Sequence, residues 1–242
     1  MITRTIEERI NIALAKKKAV TIMGPRQVGK STLAYFIIPK DAKVLEINGD
    51  NTDVQTMFVN VDEAKMKILI GNNNFLFVDE AQKIENVGNM LKIVAEKFKD
   101  VKIIVTGSSA FKLAEAVNES LTGRKREFKL YPLSFKEMAD DTSVLEESRI
   151  IDHRLIYGYY PEVVTSVGDE KEVLKELIDS YLYKDVMEEN NIAKPDKLVK
   201  LVQALAFQIG STVSATELAG LVGIDAKTVE RYIEILERSY II

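Results

Sequence analysis

Gly24, Gly29, Lys30 and Ser31 stand at the spacing G-x-x-x-x-G-K-S, and this loop restricts the fold more than any other part of the chain. The apolar run Ala19-Val20-Thr21-Ile22-Met23 leads into it and stops at Gly24, as a buried strand would. Ser31 to Ile38 can form the helix that follows, and Pro39 ends it. Glycines let the backbone wrap closely around phosphate oxygens, with successive N–H groups forming an anion nest. The start of the helix adds its positive end. Lys30 is then expected to reach the β- and γ-phosphates of a nucleotide, and the Ser31 hydroxyl to ligate Mg2+. The expected phosphate-binding set is Gly24, Pro25, Arg26, Gln27, Val28, Gly29, Lys30, Ser31 and Thr32. A chance glycine-rich turn would not carry the complete motif between a strand and a helix.

Further short apolar runs alternate with helical patterns. Val44 to Ile47, Phe75 to Val78 and Val101 to Val105 read as strands, and Phe128 to Leu133 as a fifth. Residues 3 to 16, Val61 to Leu69 and Val87 to Phe98 have approximately helical spacing. Such alternation predicts an α/β fold whose parallel sheet is covered by helices on both faces. From about Ser134 strand-like runs disappear, which divides the chain into a core of residues 1–133 and a helical part.

The third strand ends in Asp79-Glu80, at the carboxyl end where open α/β sheets bind ligands. Asp79 is expected to hold the Mg2+ shell and Glu80 to orient and polarise the attacking water. The fourth strand ends in Thr106-Gly107-Ser108-Ser109. Ser108 is a candidate for the catalytic shell, while Ser109 could cap a helix beginning at Ala110. Arg124, Lys125, Arg126 and Lys129 form a basic cluster before the fifth strand. Such clusters are usually solvated surface, yet Arg124 is also a candidate arginine finger, in cis or across a subunit contact. His153, the only histidine, has no His or Cys companion and reads as structural.

Composition excludes several classes. Of the 242 residues 46% are hydrophobic and 29% charged, as in a globular protein. The absence of cysteine rules out disulfide staples and thiolate metal sites. The first 19 residues are too charged for a signal peptide, and no apolar stretch approaches the roughly 20 residues that span a bilayer. A cytoplasmic location with no membrane partner is the expectation. The formal net charge of -4 gives no bulk argument for nucleic acid.

The last part has its own signature. Thr216 to Val222 can form a short helix, Gly223-Ile224-Asp225 a tight turn, and Asp225 can cap a second helix through Arg238. Val229, Ile233 and Leu236 would be its buried face, with Lys227, Glu230, Arg231 and Glu234 exposed. In a DNA reader this second helix enters the major groove. From Pro195 to Ile242, however, five basic residues face six acidic ones, a poor electrostatic footprint. A packing or partner-binding module is the alternative.

Gly24 to Ser31, Phe77-Val78-Asp79-Glu80-Ala81-Gln82-Lys83, Thr106 to Ser109, and Leu121-Thr122-Gly123-Arg124 followed by Leu130 to Phe135 form an ordered set. That set resembles the prokaryotic predicted ATPases of the AAA+ superfamily that carry a C-terminal domain of unknown function. Gly158-Tyr159-Tyr160-Pro161-Glu162-Val163-Val164 is similar to a Gly-Gly-Phe-Pro-Glu-Val-Val segment of that family, with Tyr at two positions. The resemblance covers essentially the whole chain and implies ATP as the nucleotide. It also implies an AAA+-type core, a helical lid (134–194) and a winged-helix-like segment (195–242). The chain stops where the β-wing would begin, so that segment is expected to be incomplete and the chain part of a longer protein.

The functional expectation is Mg-ATP hydrolysis driving a conformational change that acts on DNA or on a protein partner, with a homo-oligomer or a protein partner as the expected assembly. A nucleotide-dependent switch with negligible turnover is the alternative. A kinase fits less well, because Asp79-Glu80 beside a hydroxyl-bearing strand favours hydrolysis.

Overall fold

The apolar runs of the first half become the strands of one sheet: β1 (Ala19–Met23), β2 (Val44–Asn48), β3 (Phe75–Asp79), β4 (Lys102–Gly107) and β5 (Lys125–Lys129). All neighbours are parallel, in the order β2-β3-β4-β1-β5. Every residue of β1 and β3 is buried, as expected of strands covered on both faces. A computed structural model describes residues 2–58, 61–108, 120–187 and 192–242, and they divide by Cα proximity into two units, 1–167 and 168–242. That division falls inside the stretch 134–194.

Helix α1 (Glu7–Ala15) precedes β1, α2 (Lys30–Ile37) links β1 to β2, α3 (Thr52–Phe58) and α4 (Glu63–Ile70) link β2 to β3, and α5 (Val87–Lys97) links β3 to β4. Ile10, Ala13 and Leu14 of α1 and Leu33, Ala34 and Ile37 of α2 join Val20, Ile22, Phe77 and Ile104 in one core. Helix α3 escapes the sequence pattern because Phe58 is its only buried residue. The fifth strand begins three residues earlier than its apolar run suggests and ends before Leu130. Its sequence, Lys-Arg-Glu-Phe-Lys, buries only Phe128, because β5 is an edge strand with one side in solvent.

The loss of strand pattern coincides with a helix start. Ser134 caps α6 (Phe135–Asp141) through a full capping box with Glu137. Short helices α7 (Val144–Arg149), α8 (Ile151–Tyr157) and α9 (Pro161–Thr165) complete the first unit. The Glu137 carboxylate is 4% exposed and receives the backbone N–H groups of Thr5 at 2.8 Å and Ser134 at 2.9 Å, and Arg4 Nε at 3.2 Å.

The second unit, taken by itself, contains α10 (Glu170–Ile178), a π-helical stretch (Asp179–Met187), α11 (Pro195–Ala206), α12 (Ala215–Val222) and α13 (Ala226–Arg238). Gly223, left-handed at φ 74, makes the turn after α12. Asp225 caps α13 by accepting from Thr228 N at 2.9 Å. Leu198, Leu201, Leu218, Val222, Val229, Tyr232 and Leu236 form its core. Ile233 is only partly buried and Tyr232 takes the position the helical pattern had assigned to it. Among the described residues of 168–242 there is a helix-turn-helix pair and no strand. No helix among the described residues is long and apolar enough to cross a membrane.

Burial alone would raise the Glu137 pKa, but the Thr5 and Ser134 amides and Arg4 outweigh it and hold the carboxyl below its ordinary 4.5. Its stabilising contribution is therefore complete above about pH 4.5 and is lost as pH falls through the lower folded value. Glu137→Gln should cost roughly 3–5 kcal/mol at pH 7, because Arg4 loses its buried partner. The gap to wild type should narrow below pH 4.5, as read by urea unfolding at several pH values.

Candidate functional site

The loop after β1 is shaped by backbone constraints on particular residues. A Cβ on Gly24 would stand 1.9 Å from the Leu130 carbonyl oxygen. Leu130 is held there by its N–H, which donates to the Met23 carbonyl at 2.7 Å. No side chain fits at position 24. Gly29 is left-handed (φ 89, ψ 30) and caps α2. Gln27 is also left-handed at φ 58, and Val28 between the two is not. Alternating handedness of this kind forms anion nests.

Lys30, 6% exposed, donates to the carbonyls of Gly24 at 3.1 Å and Pro25 at 2.7 Å. Burial lowers its pKa to about 8, against the opposing pull of Glu80 and Asp79. Ser31 Oγ donates to Asp79 Oδ2 at 2.8 Å. The other Asp79 oxygen accepts from Thr106 Oγ1 and, at 3.1 Å, from the Glu80 N–H. A hydroxyl and a carboxylate, both hard oxygen donors, thus converge at the loop. That donor set fits Mg2+, which takes one or two protein oxygens together with phosphate oxygens and water.

Glu80 adopts the left-handed conformation, φ 46 and ψ 45. Gly49 makes room for it: a Cβ there would lie 2.3 Å from the Glu80 carbonyl, and the Gly49 N–H donates to the Asp79 carbonyl at 2.9 Å. The Glu80 carboxylate turns toward β4. Its Oε2 accepts from Ser108 Oγ at 3.1 Å and from Gln82 Nε2, which also donates to Ser108 Oγ at 3.0 Å. Ser31, Asp79, Glu80 and Ser108 are therefore joined by hydrogen bonds, and Lys30 lies within the electrostatic reach of both carboxylates. Ser109 and the helix expected from Ala110 lie outside the described residues.

Arg124 is not part of this cluster. Its carbonyl accepts from the Ala19 N–H at 2.9 Å, so it lies at the amino end of β1, a whole strand away from Gly24. Its guanidinium pairs with Glu96 at 2.6 Å. The cis arginine finger is thereby corrected: five residues at about 3.3 Å each separate it from the loop. Arg124 immediately precedes β5, and in a parallel sheet the residues that enter a strand lie at the edge opposite the loop.

Two features of the site were missed. Gln82 sits in the Asp79–Lys83 segment, but nothing in its spacing told of the bonds to Glu80 and Ser108. Arg4, buried, donates to the Val28 carbonyl of the loop at 2.9 Å and to the Tyr131 carbonyl at 2.6 Å, while paired with Glu137. It braces the loop from the N-terminus. Beside the loop lies a cavity of about 400 Å3, largely apolar, with Val28, Gly29, Thr32, Leu33, Leu133 and Pro161 in its wall.

The sheet and loop define a P-loop nucleotide-binding protein of the ATPase class. Residues 16–139 match the family model described as AAA domain, and the chain belongs to that family. Residues 148–242 match a domain of unknown function (DUF8612). The chain is 27% identical over 262 residues to an uncharacterized protein of Methanocaldococcus jannaschii, covering 99% of this chain and 59% of that one. It is also 27% identical over 177 residues to an uncharacterized protein of Haemophilus influenzae, covering 69% and 44%. The chain spans about half the length of the curated relatives it matches. Its fold is that of the Walker-type ATPase of Pyrococcus abyssi, with a TM-score of 0.61 at 14% identity, covering 99% of this chain and 90% of that one.

Gly24→Ala forces the Cβ into the Leu130 carbonyl and should cost about 1–3 kcal/mol of stability through overpacking. The loop cannot then close, and a fluorescent ATP analogue should lose measurable binding at micromolar protein.

Proposed function

We propose that the chain binds Mg-ATP in the loop Gly24–Thr32 and hydrolyses it, with Glu80 orienting and polarising the attacking water. The observation that carries this reading is the divergence of two consecutive carboxylates. Asp79 is committed to Ser31 and Thr106, whereas Glu80 is turned to Ser108 and Gln82. One carboxylate is thus suited to a metal and the other to a water.

In this reading the loop amides and Lys30 hold the phosphates. Lys30 leaves the Gly24 and Pro25 carbonyls for the β- and γ-oxygens, and anionic phosphate restores the charge that burial disfavours. Ser31 and Asp79 would hold Mg2+, which supplies charge neutralisation at the β- and γ-phosphates. Arg26 is a further anion contact of the loop, and Thr32 faces the cavity that would seat the base. Ser108 and Gln82 set the direction of the Glu80 carboxylate. The helices of residues 134–194 act as the lid and those of 195–242 as the effector part, which carries the conformational change to DNA or a protein partner.

Glu80 Oε2 already accepts two hydrogen bonds, which favours slow basal turnover until the carboxylate is released toward the water. The limit of that behaviour is a nucleotide-dependent switch. An arginine finger in trans from Arg124 requires that it leave Glu96 and face another subunit, so activity would then rise steeply with protein concentration.

Steady-state ATPase assays test the reading. Glu80→Gln should lower kcat about a hundred- to ten-thousandfold with nucleotide affinity retained, and chelation of Mg2+ should abolish turnover. Unchanged kcat in Glu80→Gln would overturn the assignment. Gln82→Ala should reduce kcat roughly ten- to a hundredfold with little change in KM, the signature of a misaligned general base.

A further inference from the structure

The carboxyl end of the sheet carries the nucleotide site, and the amino end carries a different chemistry. Lys16, Lys17 and Lys18 follow α1 and lead into β1. Lys99 and Lys102 stand at the entry to β4, and Arg124, Lys125 and Arg126 at the entry to β5. With Arg9 of α1, these residues line two grooves of about 530 and 180 Å3 that share Lys16 and Lys18. Among the described residues, nine basic side chains there meet three acidic ones: Asp100 and Glu127 in the lining, and Glu96 as the partner of Arg124. The local excess is six positive charges in a chain whose formal net charge is -4.

The acids are spent on particular partners. Asp100 pairs with Lys17 at 3.0 Å, Glu96 with Arg124 at 2.6 Å, and Glu127 with Lys125. Lys18 donates to the Gly123 carbonyl. Arg9 and Lys102 lie over the rings of Phe128 and Phe75, at 5.8 and 5.3 Å. Among the described residues, Arg9, Lys16, Lys99, Lys102 and Arg126 form no ion pair, and all five are exposed. Protecting an edge strand from pairing explains charge on β5. It does not explain Lys16, Lys99 and Lys102, which are not on that strand.

We propose that this basic edge binds the sugar-phosphate backbone of nucleic acid, without reading base sequence. Segregated positive charge on a chain of net negative charge is the electrostatic footprint of a phosphate-binding surface. The lining offers cations at spaced positions along grooves, and among the described residues Ile12 is its single exposed large apolar side chain. A peptide partner would require buried apolar or aromatic anchors, and sequence readout would require side chains aimed at base edges. The inference names the target left open under the proposed ATPase reading, but binding itself requires no nucleotide. The surface also differs from the helix-turn-helix, whose exposed face mixes acidic with basic residues.

Fluorescence anisotropy with labelled duplex DNA, single-stranded DNA and RNA of one length tests it, without nucleotide and at several salt concentrations. All three should bind, with affinity falling linearly in log–log against salt. Lys16→Glu/Lys99→Glu/Arg126→Glu should weaken binding at least tenfold and flatten the salt slope by about 3, one phosphate contact per charge. Its thermal midpoint and ATP-analogue binding should match wild type, and Arg126→Glu alone should give a smaller effect in the same direction. Lys227→Glu/Arg231→Glu in α13, and Lys30→Ala in the nucleotide loop, should leave binding intact. Full affinity in the triple variant, loss of binding only in the α13 variant, or stronger binding of an acidic peptide than of duplex would each overturn the proposal. Loss of ATPase with retained DNA binding would count against the catalytic reading alone.

Discussion

The hydrogen bond from Ser31 to Asp79 is the contact on which the site depends. It joins the first turn of α2, which follows the loop after β1, to the end of β3, although β4 lies between β1 and β3. Two strand spacings of about 4.8 Å separate β1 from β3, so the bond forms only if all three strands end at one level. The registers bring this about: Met23 lies beside Gly107, and Val78 beside Val105. With β4 in the middle, Thr106 reaches Asp79 and Ser108 reaches Glu80 from the same side. A slip of one residue would turn every side chain of a strand to the opposite face and scatter all of these groups.

Holding the site in this form costs free energy locally. A non-glycine residue kept left-handed, as Glu80 is, costs of order 1–3 kcal/mol. Lys30 is buried, which disfavours its charge. Each cost is met by a neighbour that could not be exchanged freely. Gly49 leaves space for the Glu80 carbonyl, Gly24 leaves space for Leu130, and two carbonyls receive the Lys30 ammonium. Arg4 and Glu137 act further out, tying the loop carbonyl of Val28 to the start of α6. Strain of this kind persists only where the surrounding packing over-determines it, and the fully buried β1 and β3 supply that packing.

A parallel sheet also has two chemically distinct ends. Its carboxyl end gathers the carboxylates and the phosphate loop, and its amino end gathers the lysines and arginines at the entries to β1, β4 and β5. Arg124 illustrates how strongly this polarity governs where a side chain stands. Its motif neighbours suggested proximity to the nucleotide, yet its position before β5 sends it to the far edge.

The phosphate loop, the Asp79-Glu80 pair, the parallel α/β class and the Asp225-capped helix were legible in the sequence. Each depends on spacing within a few residues, where apolar runs, glycines and capping side chains act locally. The charged edge strand β5 and the polar helix α3 were harder to place, since one buried residue apiece leaves almost no periodic signal. Only the tertiary structure decided strand order, the end of the sheet that Arg124 occupies, the double role of Gln82, and the pairing of Arg4 with Glu137 across 133 positions. Such contacts arise from the packing of segments distant along the chain, and that packing carries no fixed spacing in sequence.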